Sequence, residues 1–546
     1  MDNRDVIWPV NLIAYFMMTS LISTAAFPSQ GLTDLQRNYL FELSVIHLND
    51  FHARLAQTNP DAKPCTRGSE DKCVGGIARL YTASHQLVNE RPNAIFLNAG
   101  DNFEKTIWYR AHGWNIIATF LNMLPQDAVT LGNHEFDDRI AGLIPFLKAL
   151  NAPVVVSNID DREEPDIQGL YSNSTIIDRN GTKIGIIGVI NSTIYVNTGN
   201  LKLLNEVESV NAEAERLKKR GINIIIVLSH CGLPVDRIMA ASCSNVDLIV
   251  GGHSHTFLYT GTPPATDIPE DKYPVVVTQR NTNRTVLIVQ ASAFTKYLGN
   301  ISIWFNSAGE VVDWEGNPIL LDNSVEENPE ILALLKPWQV AVDALNAKVI
   351  GYTRVKLDDK CRFGECNLGN LITDYIGMAE NKTYWTYAAV ACINAGAIHS
   401  HSTAARSNLT YGSVATHLEY GNTWDVIELR GSDLIQVLEY TVVNSYRPDV
   451  FIGTAFLQWS GIRVVFNFEN EAYSRVTNVV LEEWYRIVVP SFVAEGFDGH
   501  DIMKNKKRNH KVGTIDIDHY VKYIKKMSPI TTGIEGRIIL NGKWHG

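Results

Sequence analysis

Between Phe41 and Phe305 the chain repeats one pattern: a short apolar run rich in β-branched residues, then a loop, then a helical stretch. The runs are Val45-Ile46, Ala94–Leu97, Ala128–Leu131, Val154–Val156, Ile184–Ile190, Ile222–Leu228, Val246–Val250, Val275–Val277 and Val286–Val289. A strand with one wet face would alternate apolar and polar residues, so continuous runs fit strands buried on both faces. The pattern predicts a layered α/β domain over residues 40–323. One intervening helix is well marked: Glu206 to Arg220 closes on Lys218-Lys219-Arg220 and then Gly221, cations at the helix end followed by a C-cap glycine. Ser324 to Ile350 reads as a long connecting helix, which Pro337 is expected to kink. Residues 351–546 have strands and glycine turns of their own and are expected to form a second, α+β domain. A chain of 546 residues is long enough for two such units.

The N-terminal Val10–Ala26 stretch is apolar, follows Arg4 and ends in small residues. It is short for a membrane span, so residues 1–26 read as a cleaved secretory signal, with an uncleaved anchor as the alternative. The last residues, Asn541 to Gly546, carry no hydrophobic tail, so no lipid anchor is expected and the mature protein should be soluble. Seven Asn-x-Ser/Thr sequons, at Asn173, Asn180, Asn191, Asn283, Asn300, Asn381 and Asn408, suit a secreted glycoprotein. Cysteine spacing suggests three local disulfides, Cys65 with Cys73, Cys231 with Cys243 and Cys361 with Cys366, leaving Cys392 as a buried thiol.

The polar residues that carry chemistry follow the strands. Leu43–Leu48 runs into Asn49-Asp50-Phe51-His52, and Ile95–Asn98 into Ala99-Gly100-Asp101-Asn102. Val129–Leu131 runs into Gly132-Asn133-His134-Glu135-Phe136-Asp137, Ile224–Leu228 into Ser229-His230, and Leu248–Val250 into Gly251-Gly252-His253-Ser254-His255. In an open α/β sheet the carboxyl ends of the strands line one crevice, which is where ligands bind. One histidine after one strand reads as a satisfied structural residue. Five segments delivering Asp, His and Asn to one rim read as a site.

Carboxylate, imidazole and amide donors without a thiolate suit zinc, manganese or iron, and the lack of Cys disfavours a closed structural zinc site. Asp101, with two carboxylate oxygens, is the candidate bridge between two metals. Two metals about 4 Å apart can hold a hydroxide between them and clamp a phosphoryl oxygen. The chain as a whole is acidic, with a net charge of −11, which disfavours a nucleic-acid partner. A small phosphorylated ligand remains compatible, because distant surface charge is screened beyond about 8 Å.

These five segments resemble the signature of calcineurin-like metallophosphoesterases. The strings Leu131 to Asp137 and Gly251 to His255 are similar to those of the 5′-nucleotidase and apyrase family, and the resemblance extends through the C-terminal half. It implies one metal held by Asp50, His52, Asp101 and His255, and a second held by Asp101, Asn133, His230 and His253. Zinc is the first expectation, with manganese, calcium or magnesium as others. His134 would face the substrate, stabilising the transition-state oxyanion or protonating the leaving oxygen, with Asp137 orienting its ring. Capping of the next helix is the alternative role of that pair. Membrane-anchored vertebrate members resemble this chain with Asn where His255 stands, whereas secreted apyrases of blood-feeding arthropods are similar in carrying His.

In the C-terminal half, Cys361-Arg362-Phe363-Gly364-Glu365-Cys366 is similar to the family's arginine-bearing, disulfide-closed loop. Tyr420 and Phe492 match the two aromatic positions that stack the nucleobase, and Asp498 matches the ribose-binding carboxylate. Stacking is worth about 1–3 kcal/mol per aromatic and needs no base-specific hydrogen bond. The family's run of Asn, glycines, Ile and Arg reads here Asn394-Ala395-Gly396-Ala397-Ile398-His399, so Asn394 is kept and His399 replaces a forked cation. Glu419 to Thr423 departs from the family pattern as well. The metal centre is complete, whereas the nucleotide clamp is altered.

The resemblance implies a secreted phosphohydrolase acting on extracellular ATP and ADP, and so on ADP-driven platelet aggregation, without a membrane anchor. Hydrolysis of AMP to adenosine is the second enzymatic expectation. A non-catalytic protein that sequesters nucleotides or blocks a platelet or cell-surface receptor is the rival of another class.

Overall fold

The computed structural model describes residues 32–542, apart from 61, 63, 66–67, 105, 194–197, 378–387, 389, 399–402, 419–422, 446–452, 477–482, 512 and 514–516. The expected signal segment, sequon Asn381, His399 and Tyr420 lie outside the described residues.

The N-terminal half is built on two six-stranded sheets. In the first, the strand Phe41–Leu48 lies between Tyr297–Phe305, antiparallel, and Ile95–Asn98, parallel, with Ala128–Val129 beyond. In the second, Leu248–Val250, Ile224–His230 and Thr182–Ile190 run parallel, flanked by Thr285–Val289 and Val275–Thr278 on one side and Ser174–Arg179 on the other. Side chains alternate across a strand, and the first strand divides its apolar residues accordingly. Leu43 and Val45 enter a core shared with Ile184, Ile226, Val250 and Ile288 of the second sheet. Ile46 and Leu48 enter a separate core with Ile77, Leu80, Ile116 and Phe146 from helices Ile77–Glu90, Trp114–Leu121 and Arg139–Ala149. The expected layered α/β arrangement is thus two stacked sheets with helices outside, and it explains why the runs are apolar on both faces.

Asn205 caps the helix Glu206–Lys219 by accepting from the Glu208 amide, within one residue of the predicted end. Val154 to Val156 forms isolated bridges, to Val129 and Ser172, rather than a strand. The connecting helix is shorter than expected at both ends, Pro329–Ala347. Asn328 takes the Glu330 and Ile331 amides and so starts it, the helix continues through Pro337, and Val349–Thr353 is already a strand.

The C-terminal half centres on a five-stranded sheet ordered Leu457–Ser460, Val390–Asn394, Trp484–Pro490, Trp424–Arg430, Arg508–Lys511, which is mainly antiparallel. Helices Asn367–Gly377, Gly431–Ser445 and Ile517–Met527 accompany it, an α+β arrangement. Disulfides Cys65–Cys73 and Cys361–Cys366 form as expected. Cys231 and Cys243 do not pair; both are buried free thiols, as is Cys392. The ten-residue helix Leu233–Ser242 stands between them and spans about 15 Å, far beyond the roughly 7 Å Cα separation a disulfide tolerates.

Candidate metal centre and substrate cavity

The parallel register aligns Leu48 with Asn98, and Leu228 with Val250, so the segments that follow leave their sheets at matching heights. Each then turns sharply. Asp50, His52, Asp101, His253 and His255 all have φ between 49° and 72°, a left-handed region that residues other than glycine rarely enter. Such strain clusters where function requires it. Here it turns the chain away from its strand direction at five of the expected ligands, where the loops reach the rim.

The rim holds every expected ligand. The Nε2 atoms of His52 and His255 face each other at 2.9 Å, with the Asp50 Oδ1 3.7 Å from the first and 3.4 Å from the second. Asp101 Oδ2 lies 3.0 Å from His230 Nε2 and 3.8 Å from His52 Nε2. His253 Nδ1 lies 2.8 Å from Asn133 Oδ1. Ligand atoms group as Asp50–His52–His255 and as Asp101–His230–His253, and His52, Asp101 and His134 also lie close together. Asp101 groups with His230 and His253 on one side and with His52 on the other, so it stands between the two sets although it is not itself in the Asp50–His52–His255 group.

Two observations say that these atoms converge on cations. His230 Nδ1 is committed to the Ala99 carbonyl at 2.7 Å, which turns Nε2 inward. That Nε2 is fully buried and close to Asp101, yet makes no hydrogen bond. Buried polar atoms are rarely left so, and a cation between imidazole and carboxylate would satisfy both. The packing also leaves no room for larger residues: a Cβ on Gly132 would sit 2.1 Å from Asp101 Oδ1, and one on Gly252 2.9 Å from His230 Nδ1. The donor set of imidazole, carboxylate and amide fits two borderline divalent metals.

The electrostatics are those of a charge cluster waiting for counter-ions. Burial alone would raise the Asp50 carboxyl, but His255, His52 and His230 hold it well below the carboxylate range. Burial lowers His253 to about 4, keeping it neutral and able to bind metal. His134 sits at the edge of the group, its ring 5.1 Å from that of His52, and its Nδ1 donates to Asp137 Oδ2 at 3.1 Å. Burial opposes a charge on His134, yet the Asp137 and Asp101 carboxylates raise its pKa well above the histidine range. Because Asp137 occupies Nδ1, the free Nε2 is the atom that could meet a substrate oxygen.

His134 opens onto a cavity of about 460 Å³ between the two halves. Ala397, Leu418, Trp424 and Pro490 line the opposite wall, and Asn346 of the connecting helix lines the side. Beside that wall, Asn394 Nδ2 donates to Asp498 Oδ2 at 2.9 Å, and the Tyr440 hydroxyl holds the Asp498 carbonyl at 2.9 Å. Phe492 stacks at 4.8 Å on Phe497, an exposed ring that sequence reasoning overlooked. Arg362 is exposed on its disulfide-closed loop. Gln458, also overlooked, fixes that loop: its Nε2 donates to the Cys361 and Gly364 carbonyls, and its Oε1 accepts from the Cys366 amide. Nothing in the spacing marks Gln458, since it lies 92 residues from Cys366. Glu135 was legible as part of the Gly132–Asp137 string but without a role. It accepts the amides of Asp101, Asn102 and Gly132 at 3.0, 2.6 and 2.6 Å.

Comparison with known proteins agrees with this arrangement. Residues 43–257 match the calcineurin-like phosphoesterase family, and residues 349–505 match the 5′-nucleotidase C-terminal domain. An apyrase of Tabanus yao is 41% identical over 91% of this chain and 93% of its own length. A 5′-nucleotidase of Bos taurus is 37% identical, covering 92% of each. The solved structure of a 5′-nucleotidase precursor from Thermus thermophilus shares 32% identity at a TM-score of 0.64, covering 92% of this chain and 100% of that one. The fold and its rim of donors are those of a two-domain metallophosphoesterase. The chain belongs to the 5′-nucleotidase family and is a metal-dependent nucleotide phosphohydrolase.

Proposed function

We propose that the protein is a secreted apyrase that hydrolyses extracellular ATP and ADP to AMP and phosphate. The observation that carries this reading is His255, whose Nε2 joins an Asp50 carboxylate oxygen and the His52 Nε2 in one candidate ligand group, 3.4 Å from the first and 2.9 Å from the second. Similarity to the Tabanus yao apyrase supports it further. Asp50, His52, Asp101 and His255 would hold one divalent cation, and Asp101, Asn133, His230 and His253 the other, with zinc as first choice. Bound there, the two ions would supply charge neutralisation and a nucleophile at neutral pH. The chain's own groups do the rest. Residues 351–546 would bind the nucleoside through Phe492, Tyr420, Asn394 and Asp498, and Arg362 would meet the phosphates together with His399. The terminal P–O bond breaks as water oxygen bonds to phosphorus, and His134 gives a proton to the departing oxygen of ADP or AMP. Residues 1–26 would direct export, and removal of ADP outside cells would restrain platelet aggregation.

Hydrolysis of AMP to adenosine is a second reading, favoured by the similarity to the Bos taurus 5′-nucleotidase. Phosphate release by the purified protein separates the two. ATP, ADP and AMP are supplied separately, with and without EDTA, and zinc, manganese, calcium or magnesium is then restored. Release from ATP and ADP alone, abolished by EDTA, is the expected result. Release from AMP assigns the second reading, and none from any nucleotide with every metal restored leaves a nucleotide or receptor binder.

A further inference from the structure

Arg54 lines the same cavity as His134, from the metal side. Its guanidinium carbon lies 4.7 Å over the ring of Phe294, and that ring is 5.2 Å from His52 and 5.1 Å from His255. One aromatic ring therefore separates a permanent cation from two metal-side histidines. The side chain is 17% exposed, so it is held in place, but among the described residues its Nε meets no acceptor. Among the described residues its one ion pair is Nη2 to Glu104 Oε2 at 3.3 Å, and both Arg54 Nε and Glu104 Oε2 are buried without a hydrogen-bond partner. A buried guanidinium with an unfilled fork beside a carboxylate that fills it poorly is suited to a planar array of anionic oxygens.

We propose that Arg54 binds the phosphate next to the scissile one, and so determines that nucleoside di- and triphosphates are held better than monophosphates. The inference rests on the apyrase reading and names the residue behind it. A terminal phosphate at the metal rim leaves the next phosphate of ADP or ATP in the cavity, carrying charge that AMP does not bring there. Arg54 supplies the opposite charge from the metal side of the cavity. Glu104 occupies Arg54 in the free protein and gives it up to the substrate.

Steady-state kinetics of the full-length protein loaded with zinc test this, using ADP and the monoester p-nitrophenyl phosphate. Arg54→Ala should raise KM for ADP about tenfold or more, with kcat for ADP and both constants for the monoester within about threefold. Arg54→Lys should recover part of the loss. Glu104→Gln, which keeps shape and removes the competing charge, should lower KM for ADP. An unchanged KM for ADP in Arg54→Ala, or equal losses on both substrates, overturns the proposal. Thermal melting and metal content of each variant identify a misfolded one, in which case the lysine and Glu104 variants decide. If the wild type does not hydrolyse ADP, the apyrase reading fails separately. The role of Arg54 is then read from the Ki of ADP against the monoester, which Arg54→Ala should raise to the same extent.

Discussion

The Glu135 carboxylate accepts the backbone amide of Asp101 at 3.0 Å, across 34 residues of sequence, and so ties the loop bearing the candidate bridging carboxylate to the loop bearing Asn133 and His134. Burial and then the charge of Asp101 push the Glu135 carboxyl up to about 7, while the Gly132 and Asn102 amides pull the other way. Both of its carboxylate oxygens are taken by the Asp101, Asn102 and Gly132 amides, so its part is to position the two loops that carry the proposed ligands.

Glu135→Ala should therefore loosen metal binding without removing a ligand. Residues that orient ligands typically contribute 10–100-fold in affinity. Zinc titration by calorimetry should show a fall of about that size, with Glu135→Gln intermediate because its amide oxygen still accepts hydrogen bonds. Unaltered zinc affinity in Glu135→Ala would contradict the assignment.

His134 and Asp137 should separate chemistry from metal binding. His134→Ala is expected to lower kcat by about 10²–10⁴, with the metal content measured by mass spectrometry unchanged. Asp137→Asn keeps the ring but weakens the acceptor at Nδ1, so its loss should be smaller. A fall in metal content that parallels the fall in kcat would make His134 a ligand, consistent with its closeness to His52 and Asp101.

Thiol counting checks the cysteine pairing. Seven cysteines with two disulfides leave Cys231, Cys243 and Cys392 free and buried. Burial raises all three thiols, Cys243 to about 12. Alkylation should label none of the three in the native protein and all three in guanidinium without reductant. One labelled thiol would restore the Cys231–Cys243 disulfide.

Acid should destabilise the fold through three buried histidines that are not among the proposed metal ligands. Burial lowers His47 to about 3 and His417 and His500 to about 4. Each binds fewer protons folded than unfolded, so its contribution is complete above the ordinary value near 6.5 and is lost as pH falls through the window from about 6.5 to 4 for His417 and His500, and on to about 3 for His47. Each shifted unit is worth about 1.4 kcal/mol. The melting temperature of metal-free protein should fall steeply across that window. Replacing His417 with Gln, which cannot titrate, should flatten the slope.

The amino-acid sequence by itself determined the α/β character of the N-terminal half, the helix Glu206–Lys219 and the placing of Asp, His and Asn at strand ends. Periodicity, caps and turns are properties of neighbouring residues, and continuous apolar runs admit few architectures. It also told which residue types could bind metal, since donor chemistry travels with the side chain. Tertiary structure alone decided the rest. The left-handed turns at Asp50, His52, Asp101, His253 and His255 persist only because packed sheets hold them. The tautomer of His230 depends on the Ala99 carbonyl, 131 residues away, and the Asn394–Asp498 contact spans 104. Cys231 and Cys243, close in sequence, are held apart by the rigid helix between them. No local pattern marks Arg54, which folding sets over Phe294, far away in sequence, beside His52 and His255. Contacts between distant residues depend on how whole elements stack, and no local pattern encodes that.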